Sequence, residues 1–339
     1  MNARDVLEPV GSLAGRIAIE ARAAGYAWRG GMLALDRPDR ALAIVRAMDR
    51  MGALGSAVVA AAIRHGDRTG LIDELGSLTF RELHERSDAL ACGLRARGLH
   101  EGQTVGVLCR NHRGFLDATF ALGKVGARVL YLNTDFAAPQ LRDVCRREGV
   151  VLLIHDEEFE GLVGSAAAPL GRLLAWTEDS GGDGGAAGGA DTLEAVIAEF
   201  AGQTPPEPGE AAAVVLLTSG TTGTPKGAPR HPGGSLHPIG ALLSKVPYRS
   251  RQSTYVAAPM FHGVGFTQTI LSVVLGCTTI CRRRFDPERV LETVTQRGPT
   301  ALVVVPVMLS RIVSVLEARP GSYDTSSLRV IALSGSVLP

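Results

Sequence analysis

From residue 67 onward, short apolar runs alternate with stretches whose apolar residues recur every three or four positions. Thr104–Cys109, Val129–Leu132, Val150–Ile154, Val214–Leu217, Thr254–Ala258, Ala301–Val305 and Leu328–Leu333 have the length and character of strands. Between them, Phe80, Leu83, Leu90 and Leu94 mark one face of a helix that the Thr79–Glu82 capping box opens and Gly98 closes. Gly114–Val125, Pro139–Glu148 and Val307–Ala318 are further helices, and Asp286-Pro287 starts another that runs to Gly298. This alternation predicts an α/β fold, a mostly parallel sheet with helices on its faces.

Residues 1–66 are different. They are alanine-rich, with Leu13, Ile17 and Ala21 at helical spacing and a second helical pattern over Leu33–Met51. The expectation is a helical N-terminal extension packed on a main domain of 67–339. The alternative is an amphipathic surface in peripheral contact with a membrane, which applies if the substrate is a lipid. The most apolar early run, Gly55–Ile63, is too short to span a bilayer, and the N-terminus has no apolar signal region.

A chain of 339 residues, 45% hydrophobic, can bury a large core and suggests two lobes. Its net charge of +1 provides no field to favour nucleic acid. The five cysteines read as reduced thiols of a cytoplasmic protein, and the Cys277/Cys281 pair lacks a second ligand pair for a metal. Ser180–Ala190 is a glycine-rich surface loop.

The stretch richest in chemistry is Thr218-Ser219-Gly220-Thr221-Thr222-Gly223-Thr224-Pro225-Lys226-Gly227, directly after the Val214–Leu217 strand. Hydroxyls and the backbone N–H groups of a glycine-permitted turn can wrap phosphate oxygens, and Lys226 adds a point positive charge. The loop departs from the P-loop pattern: Pro225 stands where the second glycine belongs, and Gly227 replaces the magnesium-binding Ser/Thr. Pro229, Pro232 and Gly233-Gly234 give no signal for a following helix. A bland surface turn is the competing reading. Against it stand the preceding buried strand and the scarcity of lysine, which occurs only at 124, 226 and 245.

Three other groups are candidates. His262, after the Thr254–Ala258 strand in Pro259-Met260-Phe261-His262-Gly263-Val264-Gly265-Phe266, can donate a hydrogen bond to a carboxylate or phosphate oxygen, and its glycines leave room for a chain. Asn133 follows a strand and either meets a ligand or caps the next segment. Arg282, Arg283 and Arg284 suggest phosphate binding or, more simply, a solvated strand end.

The run TSGTTGTPKG resembles the phosphate-loop signature of the adenylate-forming superfamily, which includes acyl-CoA synthetases, aryl-CoA ligases, luciferases and peptide-synthetase adenylation domains. The resemblance extends from about Asp67 to Pro339, and it is strongest to acyl-CoA synthetases. It implies the layered sheets and flanking helices of that superfamily's large N-terminal domain, incomplete at the C-terminus. It also implies ATP, Mg2+ and coenzyme A as cofactors and co-substrates. Thr218, Ser219, Gly220, Thr221, Thr222, Gly223, Thr224 and Lys226 would hold the β- and γ-phosphates. Phe261, His262, Gly263 and Phe266 resemble the segment that lines the carboxylate and acyl pocket, with His262 the catalytic candidate. Gly335, Ser336 and Val337 resemble the adenine-binding turn, although Ser336 and Val337 stand where glycine and alanine are commonest.

The superfamily's later Tyr-Gly-x-Thr-Glu segment, with its magnesium-binding acid, and its C-terminal lobe with a catalytic lysine have no counterpart before Pro339. The metal ligands are therefore unassigned, and a fragment or truncated product is expected. The expected reaction converts a carboxylic acid, with a fatty acid favoured, to acyl-AMP and then acyl-CoA. The absence of an acid at Phe261-His262-Gly263 speaks against an amino acid. An aryl acid, an inactive ATP-binding module and a non-catalytic interaction protein are the alternatives.

Overall fold

The computed structural model describes residues 13–33, 36–164, 166–178, 191–218, 226–230 and 237–333. Two six-stranded sheets organise them. The first contains β1 (Thr69–Asp73), β2 (Gly76–Thr79), β9 (Ser253–Val256), β10 (Thr278–Cys281), β11 (Ala301–Val304) and β12 (Val330–Leu333), in the order β12-β11-β9-β10-β1-β2. The second contains β3 (Thr104–Leu108), β4 (Arg128–Tyr131), β5 (Val150–Asp156), β6 (Arg172–Trp176), β7 (Ala213–Thr218) and β8 (Lys226–Arg230), in the order β6-β5-β3-β4-β7-β8. Neighbours are parallel except for β1/β2 and β7/β8, so each sheet carries one antiparallel strand at an edge.

The helices are α1 (Leu13–Gly30), α2 (Pro38–His65), α3 (Phe80–Ala96), α4 (Arg113–Val125), α5 (Ala138–Arg147) and α6 (Glu160–Val163). They continue with α7 (Leu193–Glu199), α8 (His237–Lys245), α9 (Gly263–Val274), α10 (Pro287–Arg297) and α11 (Pro306–Ala318). The layering follows from strand alternation. Val105, Val107, Val129, Tyr131, Val214 and Leu216 of the second sheet face inward with Val256, Cys281 and Val303 of the first. Together with α3, α4 and the second half of α2 they form the principal core. The alternate residues Leu130, Leu153 and Val215 pack outward on α5, whereas Tyr255, Ile280, Leu302 and Val304 pack outward on α10 and α11. Both faces of each sheet are covered, as parallel sheets require.

Most of the expected elements form within two residues of their predicted ends. The Thr79/Glu82 capping box is present, with both reciprocal bonds made. Asp286 caps α10 through Arg289 N–H, and Gly298 ends that helix in the left-handed region. The second early helix differs from expectation. Pro38 sets its start, because proline suits the first turn, and it continues past Met51 to His65 across a kink at Gly52, where φ is 63°. Among the described residues, no helix is long and apolar enough to cross a membrane. The Ser180–Ala190 loop lies outside the described residues.

Candidate functional site

The two motif-bearing stretches each follow the carboxyl end of a parallel strand, β7 and β9, where loops of α/β sheets commonly hold ligands. Thr218 is the last residue of β7 and Lys226 the first of β8, and the two pair directly across the antiparallel ladder. The stretch is thus a strand–loop–strand hairpin, not the strand–loop–helix of a P-loop. Pro229 within β8 is tolerated because β8 is an edge strand. Ser219, Gly220, Thr221, Thr222, Gly223 and Thr224 lie outside the described residues, as do Gly335, Ser336 and Val337. The strand that leads to the last three, β12, ends at Leu333 on the same carboxyl side as β9.

Beyond β9, Ala257–His262 turns into α9. Ala257 and Ala258 donate their N–H groups to Val303 O at 2.9 Å, and His262 N–H donates to Pro259 O at 3.1 Å. Gly265 lets α9 begin so close to this turn. A Cβ there would lie 2.1 Å from Pro259 O, closer than any side chain can come. Met260 and Phe261 are buried, while His262 is exposed at the N-cap of α9. Gly263 faces β7: a Cβ on it would sit 4.0 Å from Leu216 Cδ1, two residues before Thr218. The start of α9 therefore lies beside the carboxyl end of β7.

Sequence reasoning missed the residue that fixes this geometry. Asn111, after β3 and buried, reaches from the second sheet to the first. Its Nδ2 donates to Val256 O at 3.2 Å and to Ala258 O at 2.9 Å, while Oδ1 accepts from Met260 N–H at 2.8 Å. One side-chain amide thus holds three backbone groups of the turn. The partners lie about 145 residues away in sequence, so no local pattern signals the role.

Phe266, half-buried on α9, ends an aromatic row. Its ring lies 5.0 Å from Tyr131, which stacks on Phe115 at 5.1 Å. The Tyr131 hydroxyl meets Thr119 Oγ1 at 2.9 Å, so its one polar atom is satisfied. Burial raises the Tyr131 phenol pKa, against the lowering by that hydrogen bond, so it stays neutral. Phe261 lies 4.4 Å from the His262 ring. Partial burial lowers the His262 pKa, and the Asp135 carboxylate works against that shift. Near neutral pH the imidazole is uncharged and offers one N–H donor and one acceptor. Asp135 is placed by Asn133, whose Oδ1 accepts Asp135 N–H at 2.9 Å. Asn133 thus closes a local turn, and the N-cap position of α5 falls at Ala137 instead.

Of the three arginines, Arg284 is solvated as expected, with its side chain 67% exposed, and Arg283 is the correction. Arg283 is neither solvated nor free for phosphate. Its side chain is 10% exposed, pairs with Glu158 at 2.9 Å and Glu178 at 3.2 Å, and lies over the Trp176 ring. Arg110 adds a bidentate pair to Glu158. Burial works to raise the Glu158 carboxyl, but these arginines outweigh it and hold it below the usual range. Nearby, Cys109, His112 and Asp156 offer ligand atoms within 4.8 Å of one another, all buried. His112 Nδ1 accepts Gly114 N–H, so Nε2 carries the proton that meets Asp156 Oδ1 at 2.8 Å. No imidazole lone pair is left for a metal, and the cluster is a structural clasp. Cys277 is likewise engaged, with its thiol on Arg249 O.

The sequence matches the family model described as AMP-binding enzyme over residues 58–339. It is 33% identical over 284 residues to a feruloyl-CoA synthase from Amycolatopsis sp, covering 83% of this chain and 52% of that protein. A medium/long-chain-fatty-acid–CoA/3-oxocholest-4-en-26-oate–CoA ligase from Mycobacterium marinum is 25% identical, with 80% and 53% covered. The chain spans about half the length of the curated relatives it matches. In fold it is similar to the o-succinylbenzoate CoA synthetase of Bacillus subtilis solved with its acyl-adenylate intermediate. That match has a TM-score of 0.66 at 24% identity and covers 83% of this chain and 68% of the other. The N-terminal domain of FACL13 from Mycobacterium tuberculosis gives a TM-score of 0.70 at 21% identity, with 84% and 70% covered.

Proposed function

The chain belongs to the AMP-binding enzyme family, and from that membership we propose that it forms the acid-activating part of an ATP-dependent acid–CoA ligase. In the first step a carboxylate oxygen of the substrate attacks the α-phosphorus of ATP, supplied as its magnesium salt. The bond to the β-phosphate oxygen breaks, and acyl-AMP and pyrophosphate form. In the second step the coenzyme A thiolate attacks the acyl carbon and AMP leaves, giving the thioester.

The observation that carries this reading is the convergence of the Thr218–Lys226 hairpin and the His262–Gly263 turn at one end of the sheets. Thr218, Ser219, Thr221, Thr222, Thr224 and Lys226 take the β- and γ-phosphates and stabilise the leaving pyrophosphate. Neutral His262 donates a hydrogen bond to the substrate carboxylate or a phosphate oxygen. It orients the nucleophile without a cation that would hold it back. Gly335, Ser336 and Val337 lie along the adenine.

Phe261, Gly263 and Phe266 flank the acid's body. Phe266 is half-buried and backed by the buried rings of Tyr131 and Phe115, which supports an acid with an apolar body. A planar aryl acid suits Phe266 as well as the fatty acyl chain expected from sequence, and an amino acid is disfavoured because the stretch from Phe261 to Gly263 itself contains no acid.

The test traps the intermediate. The chain, alone and joined to the second half of the feruloyl-CoA synthase relative, is incubated with ATP, hydroxylamine and either ferulate or dodecanoate. Acid-dependent hydroxamate supports the proposal, and its absence from both proteins with every acid tried would end it.

A further inference from the structure

The strands that carry the candidate site at their carboxyl ends carry a different feature at their amino ends. A cavity of about 450 Å³ opens there, lined by Gly31, Asp36, Arg37, Arg40, Arg64, His65, Ser250 and Arg251. His65 and Arg251 precede β1 and β9, which run parallel in the first sheet on either side of β10. The far wall comes from the connection between α1 and α2.

Its charge is one-sided. Four arginines face one acid, Asp36, and that carboxylate already accepts from Arg64 Nε at 2.8 Å. Arg37 pairs with Asp39 at 3.3 Å. The guanidinium groups of Arg40 and Arg251 have no acidic partner among the described residues. Arg68 adds a further positive charge nearby, donating to Arg251 O at 3.0 Å.

Two departures from ordinary structure support a ligand. Arg251 has φ of 64°, and it is the sole non-glycine residue with positive φ among those described. That conformation costs on the order of 1 kcal/mol for a residue with a Cβ. The backbone is held there by Arg251 N–H on Leu275 O and by Ser250 N–H on Gly30 O. Glycine would relieve the strain, yet the position carries a cation at the cavity wall. His65 is 8% exposed, and its Nδ1 has no hydrogen-bond partner. Its ring is pressed against Gly276, where a Cβ would lie 2.1 Å from Cδ2. Burial first, then Arg251, Arg68 and Arg64, push its pKa down to about 4, with Asp36 opposing. The wall is therefore neutral imidazole among fixed cations.

We propose that this cavity is a second, oxyanion-binding site that takes a soluble phosphate or diphosphate ester between Arg40 and Arg251. Guanidinium forks match phosphate oxygens two at a time, and the volume leaves room for an organic body beyond the phosphate. The site lies at the opposite end of β9 from the acid-activating region, so its failure leaves the proposed function untouched.

The test uses the full chain with Lys226→Ala, which removes the cation of the hairpin loop from the measurement, and inorganic pyrophosphate as the probe in titration calorimetry. One saturable site is expected, with the His65 ring resonances shifting on binding. Arg251→Gly removes the charge while relieving the backbone, and Arg40→Ala removes an exposed side chain, so both variants fold. Each is expected to weaken binding at least about tenfold. Absence of saturable binding, or binding unchanged in both variants, overturns the proposal. Citrate competing as well as pyrophosphate overturns the phosphate assignment.

Discussion

The two ends of β9 solve opposite problems. At the carboxyl end, the turn from Ala257 to His262 is held by neutral hydrogen bonds and close packing: Asn111 spans it, Gly265 seats the helix behind it, and Phe261 and Met260 are buried under it. At the amino end, arginines crowd a buried histidine, and one residue sits in a strained backbone conformation. A neutral, tightly tied turn suits the proposed role of His262 as an uncharged donor to a carboxylate. An open cationic cavity suits the capture of an anion. The two ends of one strand thus present opposite chemistries, so strand polarity alone does not say where a ligand can bind.

The largest test of the comparison is Asn111→Asp. It turns a donor facing Val256 O and Ala258 O into an acceptor and places a carboxylate among buried groups, so unfolding stability in urea should fall by about 3 kcal/mol or more. A loss under about 1 kcal/mol would mean that the tether is dispensable.

At the other end the expected signature is in pH. Because the folded pKa of His65 is depressed to about 4, its contribution to stability is fully present above about 6.5 and is lost as pH falls toward 4. His84, also lowered to about 4 by burial and Lys124 against Asp88, adds to the same acid limb. His65→Asn should flatten that limb by about 2 kcal/mol, read from denaturation midpoints across the range. An unchanged slope would place the acid sensitivity elsewhere.

Gly265→Ala forces a methyl into Pro259 O, and the expected loss is about 2 kcal/mol together with a displaced His262. Thermal unfolding and the His262 ring shifts report the two effects separately. Phe266→Ala is the mildest, about 1 kcal/mol, because the ring is half-buried and loses chiefly its contact with Tyr131. Its clearer readout is weaker binding of apolar acids.

What could be read from the sequence was local. The Thr79/Glu82 box, the Asp286 cap and the strand lengths depend on neighbours within a few residues, and the structure contains them. The division into two sheets was not legible, because alternation within a strand does not say which other strand it pairs with. Asn111 and Arg283 were missed or misread for the same reason: their partners are 105 to 149 residues away. β8 was hidden by Pro229, which reads as a breaker until its edge position is known. The scarcity of lysine also proves a weaker signal than it looked. Lys124 is equally rare and wholly buried, its Nζ bonded to His84, Ser87 and Asp88, with desolvation pulling its pKa down to about 8. A compact ammonium fits that pocket as a guanidinium would not.

The proposed joining of a carboxylic acid to AMP at the carboxyl-end site is read, without coenzyme A, by isotopic exchange between pyrophosphate and ATP. Exchange is expected to require an aryl or fatty acid, in the chain itself or in the chain joined to its relative's second half, and to collapse in Lys226→Ala. Exchange absent from both proteins with every acid, or indifferent to Lys226, would contradict it.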